Sequence, residues 1–163
     1  MTTRFDVTRA VAADPAAIFA IVSDPNGHVA IDASGMLMSA TGQRATAVGD
    51  EFVGHMDREA LNDFPLGLYD VAVPICTFEQ DREIAWKING VVQLPIGHVH
   101  GYRLEPFEGG TLVTSYHDWT DIDPVWKERN IFPIFSEGAL RATLGILART
   151  VAPGKPRPEL PSA

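Results

Sequence analysis

Ile131–Val151 reads IFPIFSEGALRATLGILARTV, and the rest of the chain is read outward from it. Pro133 suits a first helical turn, where a missing N–H costs nothing. Ala152-Pro153-Gly154 ends the run, so the pattern predicts a helix over about residues 134–151. At about 100° per residue, Phe135, Ala139, Ala142 and Ile146 fall on one flank, and Leu140, Leu144, Leu147 and Val151 on another. Between the flanks runs a row at heptad spacing, Ser136, Thr143 and Thr150. Glu137, Arg141 and Arg149 take the opposite side with Gly138 and Gly145. A helix sealing a dry core would carry Leu or Ile down its middle, whereas a helix forming a cavity wall can carry Ser and Thr there. The row has a second reading, as hydroxyls that bond back to carbonyls one turn earlier.

A chain of 163 residues fits one domain, with about 70% of its unfolded surface buried. It is 45% hydrophobic and 21% charged, ordinary for a globular protein. A net charge of −8 argues against a nucleic-acid partner and against anionic lipid surfaces. Cys76 is the single cysteine, so no intrachain disulfide is possible. MTTRFDVTRA has no apolar core of a signal peptide, and no run reaches transmembrane length. The expected location is therefore the cytoplasm, without stable membrane insertion. The proline-rich end, PGKPRPELPSA, reads as a disordered or extended tail at 153–163 behind a domain at 1–152.

Phe5, Val7 and Val11 alternate with polar residues over 4–12, which predicts a strand, with Arg9 breaking the apolar side. Asp14-Pro15 opens a helix as N-cap and first-turn residue, and Asp24-Pro25 opens a second, running through Ile31. Strands follow at 36–41 and 51–57, the second with Phe52 and Met56 on one side. The apolar stretch 58–68, with Asp63-Phe64-Pro65-Leu66-Gly67, reads as a loop packed on the core rather than a lid. Tyr69–Glu79 and Glu83–Asn89 form a hairpin about Gln80-Asp81. It puts Val71, Val73, Ile75 and Thr77 on one face with Ile84, Trp86 and Ile88, and turns Pro74 and Cys76 away. A proline inside a strand suggests an edge or a bulge.

The last hairpin is centred on Gly109-Gly110, a two-residue turn of the primed type. That turn pairs Glu108 with Thr111, so Leu104 faces Ser115, Tyr102 faces His117 and His100 faces Trp119. Gly101, Arg103 and Glu105 share the other face with Thr114, Tyr116 and Asp118, and that polar face reads as solvent-facing. His98, His100, Tyr102, His117 and Trp119 then point inward. A slip of one residue would mix the two sets. After Asp121 comes a linker containing Pro124 and Trp126.

The order is strand, two short helices, about six strands and one long helix. It is carried by ADPAAIFAIVSDP near the start, IDASG at 31–35, FEQDREIAWKI at 78–88, GGTLVTSYHDW at 109–119 and the terminal helix. Together these resemble the helix-grip fold and, more narrowly, the polyketide cyclase/dehydrase and lipid-transport branch of the START-like (SRPBCC) superfamily. The likeness covers the chain to about Pro153. It implies an α+β domain in which a curved antiparallel sheet of about seven strands wraps the long C-terminal helix around an apolar cavity. Members of the superfamily bind lipids, sterols or polyketide-like molecules, some catalyse cyclisation or dehydration, and Hsp90-activator relatives are among them. There is no universal catalytic triad to carry over.

The inward set holds the candidate chemistry. His98 and His100, at i and i+2, with His117 on the next strand, are the donor types of a three-histidine zinc site. Tyr and Trp crowd the same face and no carboxylate stands ready to orient the imidazoles, so no metal and no cofactor is expected. His100, Tyr102 and His117 are the catalytic candidates, moving a proton in cyclisation or dehydration. The leading reading is that His98, His100, Tyr102, His117 and Trp119 orient a ligand's polar end in a mostly apolar pocket. His98 also fits a satisfied core histidine. Strand alternation adds Phe52, Met56, Tyr69, Val71, Val73 and Trp86 to the pocket, and the helix adds Ser136, Leu140 and Thr143. Asp32 and Ser34 read as turn residues, and His117 and Asp118 point to opposite faces and form no dyad. No phosphate-cradling loop, nucleophile elbow or metalloprotease motif is present. Three functions follow: a carrier or binding protein for a small apolar molecule, a cofactor-independent cyclase or dehydratase, and a protein-interaction module of the Hsp90-activator kind.

Overall fold

Among the described residues, Asp-Pro pairs start three of the four α-helices. Asp24 accepts the Asn26 N–H and Asp123 the Val125 N–H, each at 2.9 Å, with proline in the first turn behind them. The computed structural model describes residues 1–90 and 95–162. In chain order the elements are β1 (Arg4–Val11), α1 (Pro15–Val22), α2 (Pro25–Ile31), β2 (Leu37–Thr41), β3 (Glu51–Asp57), β4 (Leu68–Glu79), β5 (Glu83–Lys87), β6 (Val99–Phe107), β7 (Gly110–Asp118), α3 (Pro124–Arg129) and α4 (Glu137–Val151). One turn of 3-10 helix lies at Glu59–Leu61. The seven strands form one curved antiparallel sheet in the order β1-β7-β6-β5-β4-β3-β2, which with α4 is the helix-grip architecture. Among the described residues, no helix is long and apolar enough to cross a membrane.

The linker expected after Asp121 contains α3, whose Asp123-Pro124 start repeats the signal read at α1 and α2. The long helix starts later than the proline suggested. Ser136 is its N-cap, accepting the Ala139 N–H at 3.1 Å, and Ile131–Phe135 lies outside it without regular structure. An N-cap hydroxyl satisfies a donor that Pro133 would leave open.

Two strand registers differ from expectation. In the last hairpin Phe107 pairs with Gly110, His100 with His117 and Tyr102 with Ser115, two residues from the expected pairing. The turn is Glu108-Gly109, with Gly109 at φ +107° and Glu108 not in the left-handed region, so it is not a primed turn. Gly110 belongs to β7 for a packing reason: a Cβ there would lie 2.1 Å from the Val11 carbonyl oxygen of β1. A slip of two conserves the faces, and the inward set is unchanged. In the β4–β5 hairpin a bulge falls between Ile75 and Thr77. It pairs Phe78 with Ile84, so Phe78 rather than Thr77 enters the core, edge-to-face with Phe19 at 5.4 Å. Pro74, unable to donate to a ladder, stands next to this irregularity.

The interior divides into three apolar clusters. The largest joins Val7 and Val11 of β1, Ile18, Phe19 and Val22 of α1, Ile84, Leu104 and Val113 of the central strands, and Leu144 and Leu147 of α4. Leu144 and Leu147 are fully buried, each contributing roughly 1.5–3 kcal/mol. A second cluster gathers Met36, Phe52, Met56, Val71 and Val73, and a third Trp119, Ile122 and Trp126 with Phe5 and Phe132. The loop at 58–68 does not pack by its apolar residues, contrary to expectation: Leu61, Phe64, Leu66 and Leu68 are exposed. It is held by the buried Arg58, whose guanidinium grips Asp63 with two hydrogen bonds of 2.8 Å and lies 5.0 Å from the Phe64 ring. A paired, planar guanidinium anchors this loop where an apolar side chain was expected to.

Candidate functional site

A cavity of about 130 Å³ lies between the first two clusters. The sheet supplies Phe52, Gly54, Met56, Val71, Val73, Trp86, His100, Tyr102 and Ser115, and the segment from α2 to β2 supplies His28, Ile31, Asp32, Ser34 and Leu37. Phe135, Ala139, Leu140 and Thr143 close the helix side. Nine of the residues expected in the pocket stand in this wall: Phe52, Met56, Val71, Val73, Trp86, His100, Tyr102, Leu140 and Thr143. Five stand elsewhere. Tyr69 packs on the second cluster, Ser136 caps α4, and His98, His117 and Trp119 form a group with Phe132 behind the wall, His117 lying against the wall residue Phe135.

The polar groups at the wall differ in how far they are satisfied. The His28 ring nitrogen Nε2 donates to the Val22 carbonyl at 2.7 Å, and its ring meets Trp86 and Phe52 edge-on at 4.6 and 5.2 Å. Burial lowers its pKa, partly offset by the Val22 carbonyl and by Asp24 and Asp32. Asp32 serves the turn as expected: Oδ1 accepts the Ser34 hydroxyl at 2.7 Å and Oδ2 the Leu37 N–H at 3.2 Å. Tyr102 is buried, and among the described residues nothing hydrogen-bonds its hydroxyl. Burial, and then the charge of Asp32, raises its pKa above the ordinary tyrosine value, so it stays a donor. His28 is the wall residue whose signal was available and unread: it sits at i+3 from buried Pro25 and i−3 from buried Ile31 on α2.

Behind the wall the imidazoles stack. His100 and His117, directly paired across β6 and β7, lie parallel with ring centroids 4.2 Å apart and planes 3° apart. His98 stands edge-on to both, at 5.4 and 5.9 Å. Trp86 stacks on His100 at 6.1 Å with 22° between the planes, and Trp119 lies tilted by 44° against His117 at 4.9 Å. Parallel rings hold their in-plane lone pairs in parallel planes, which do not converge on one point. Among the described residues no three His, Cys, Asp or Glu side chains are grouped to hold a metal ion. Burial pushes the pKa of His98 and of His117 down to about 4, and that of His100 well below the ordinary value. The positive charge of a neighbouring imidazole adds to the effect at His98 and His100, while the Val99 carbonyl and Asp118 oppose it at His117. The rings are therefore neutral at neutral pH. No hydrogen bond joins Tyr102 to a histidine among the described residues. The two-residue register shift removes the His117–Tyr102 pairing that such a bond required.

No family model matches the chain, and no curated protein matches it by sequence. Solved structures share its fold. Protein CV1439 from Chromobacterium violaceum is 15% identical, covering 94% of this chain and 99% of its own, with a TM-score of 0.66. The AHSA1-like protein from Aeromonas hydrophila is 15% identical over 91% of each chain, TM-score 0.58. The Aha1 dimer from Colwellia psychrerythraea is 16% identical over 95% of this chain and 100% of its own, TM-score 0.59. At such identities the likeness is one of fold, in agreement with the helix-grip architecture. As 224 solved chains match, the fold alone selects no activity.

Proposed function

We propose that the protein binds one small apolar molecule, of the lipid, sterol or polyketide-like kind, in the cavity between α4 and the sheet, as a carrier or binding protein. The observation that carries this reading is the wall itself: apolar side chains around about 130 Å³ of space, with the unpaired Tyr102 hydroxyl among them. An apolar void of about 150 Å³ holds a benzene-sized molecule, so the static cavity suits a single ring or a short chain, and a larger ligand needs its walls to move. Cyclase or dehydratase chemistry would act on this same ligand, with His100 and Tyr102 the groups of β6 at the wall. Native mass spectrometry of the purified protein tests the binding reading. A co-purified apolar molecule supports it. An empty protein, whose melting temperature no apolar probe raises, overturns it.

A second reading, a protein-interaction module, is favoured by two observations. Two of the fold neighbours carry Aha1 names, and the 58–68 loop presents Leu61, Phe64, Leu66 and Leu68 to solvent.

A further inference from the structure

The imidazole cluster carries polar atoms that the fold does not use. Nδ1 and Nε2 of His98, Nε2 of His100 and Nε2 of His117 are buried and have no hydrogen-bond partner among the described residues. The three side chains are 2%, 5% and 0% exposed. A buried group with an unmade hydrogen bond is costly, so this many in one place call for a partner that the described residues do not supply.

Ring chemistry says what the partner must be. His117 Nδ1 faces the Val99 carbonyl at 3.5 Å, so the ring proton sits there and Nε2 offers a lone pair. A neutral imidazole has one donor and one acceptor, and His98, with both nitrogens free, offers one of each. The partner must therefore both donate and accept. It must also enter without net charge. The ionisable groups felt at the cluster are the three imidazoles, His28, and Asp118 on the opposite face of β7, and none is a fixed cation that would balance an anion. A carboxylic acid meets both conditions. Its O–H donates, its carbonyl oxygen accepts, and acid with proton is one neutral unit wherever the proton rests between oxygen and nitrogen.

The cavity leads to this place. His100 is part of its wall, and Phe135 lines it with its ring 5.1 Å from His100 and 5.9 Å from His117. Phe135 lies in the irregular stretch before α4, and no backbone hydrogen bond of 131–135 occurs among the described residues. Moving its side chain aside disrupts no helix and no strand. We propose that the cavity and the His98, His100 and His117 cluster are one site, whose ligand is a carboxylic acid with a small apolar body, its acid group reaching the imidazoles when the Phe135 ring moves aside. This rests on the cavity being a binding site.

Phenylacetic acid and 2-phenylethanol share a body and differ in the head group. In calorimetric titrations of the wild-type protein at pH 7 and at pH 6, the acid should gain about tenfold in affinity over the alcohol for the one-unit fall in pH. It should also take up about one proton, seen as a dependence of the heat on the buffer's ionisation heat. Between pH 8 and 6 its affinity should rise about tenfold per pH unit, because free acid and free imidazoles are unprotonated there and the complex holds one proton more. His117→Phe should abolish both the gain in affinity at lower pH and the proton uptake. Since that variant can fail to fold, the proton count in the wild type stands as an independent measurement. An acid affinity that keeps a constant ratio to the alcohol's across this pH range, as water alone at the cluster would give, or acid binding without proton uptake, overturns this proposal. Binding of the alcohol alone overturns it and leaves the cavity reading standing. Binding of neither overturns both.

Discussion

Thr143 faces the cavity, Ser136 caps α4, and Thr150 donates its hydroxyl to the Ile146 carbonyl at 2.7 Å. The heptad row read from the sequence thus contains one wall residue, one cap and one hydroxyl bonded to the preceding turn. Periodicity gives the direction of a side chain, but not whether the helix has begun at that position. The difference is measurable. Thr143→Leu puts methyl groups into the void and should lower affinity for 2-phenylethanol about tenfold. Its effect on stability should stay below the roughly 1–3 kcal/mol of an overpacked core. Ser136→Ala should cost about 1 kcal/mol, typical of a lost cap, and leave that affinity unchanged. Melting curves and titrations of both variants check the pair. The histidines add a pH dependence of known sign. His98 and His117 have folded pKa values near 4, below the unfolded 6.5, so the unfolded chain binds more protons between these limits. Stability should be full above about pH 6.5 and fall as pH drops towards 4, by on the order of 3 kcal/mol for each ring once protonated. Asp50, Asp63 and Asp118, whose pKa values are lowered, add their loss only in the more acid range where unfolded carboxylates titrate. Urea midpoints at pH 7, 6 and 5 therefore report the imidazoles. A midpoint flat over that range would contradict their burial as neutral rings.

The elements legible in the sequence were those whose signal is local. Asp-Pro marks a start at α1 and α2, and the same pair at Asp123-Pro124 marks α3, in the stretch after Asp121 that reads as a linker. Strand parity was legible as well, because side chains alternate with a period of two and the core accepts one face. Register was not legible, because it depends on a contact from elsewhere in the chain. Two adjacent glycines look like one turn, yet Gly109 supplies the positive φ and Gly110 makes room for the backbone of β1. The bulge near Cys76 was announced by Pro74, but its consequence, the exchange of Thr77 for Phe78 in the core, needs the partner strand to be seen. These roles separate by substitution. Gly109→Ala should cost about 1–2 kcal/mol, the strain of a left-handed backbone carrying a Cβ. Gly110→Ala should cost more, above about 3 kcal/mol, since backbone of β1 and β7 must part. If both glycines formed the turn, the two costs would be alike. Denaturant unfolding of the two variants decides between these pairings.

At the scale of the molecule the cavity lies between two of the three clusters, and the imidazoles join its wall at His100 to Trp119 and Phe132 of the third. The cavity wall draws on β3 to β7, on α4 and on the segment from α2 to β2, so it exists only when the whole fold is assembled. The loop at 58–68 stands outside this arrangement. It was expected to pack on the core because of its composition, and composition cannot tell an apolar residue that covers a core from one held out by a buried arginine. Phe64→Ser and Leu66→Ser together should change stability by no more than about 1 kcal/mol, as exposed substitutions do, whereas a core phenylalanine alone would cost about 3–5 kcal/mol. Arg58→Ala should be worse than the double substitution, because it leaves Asp63 unpaired and opens the space beside Met36. The double variant also separates the two functional readings. A carrier that works through its cavity should bind 2-phenylethanol as the wild type does, because neither residue lines that cavity. An interaction module working through this loop should lose its partner, since the variant removes much of the exposed apolar surface there. Unchanged ligand affinity with unchanged melting temperature is the result expected. A melting temperature lowered as by a core substitution would show that the loop is part of the core after all.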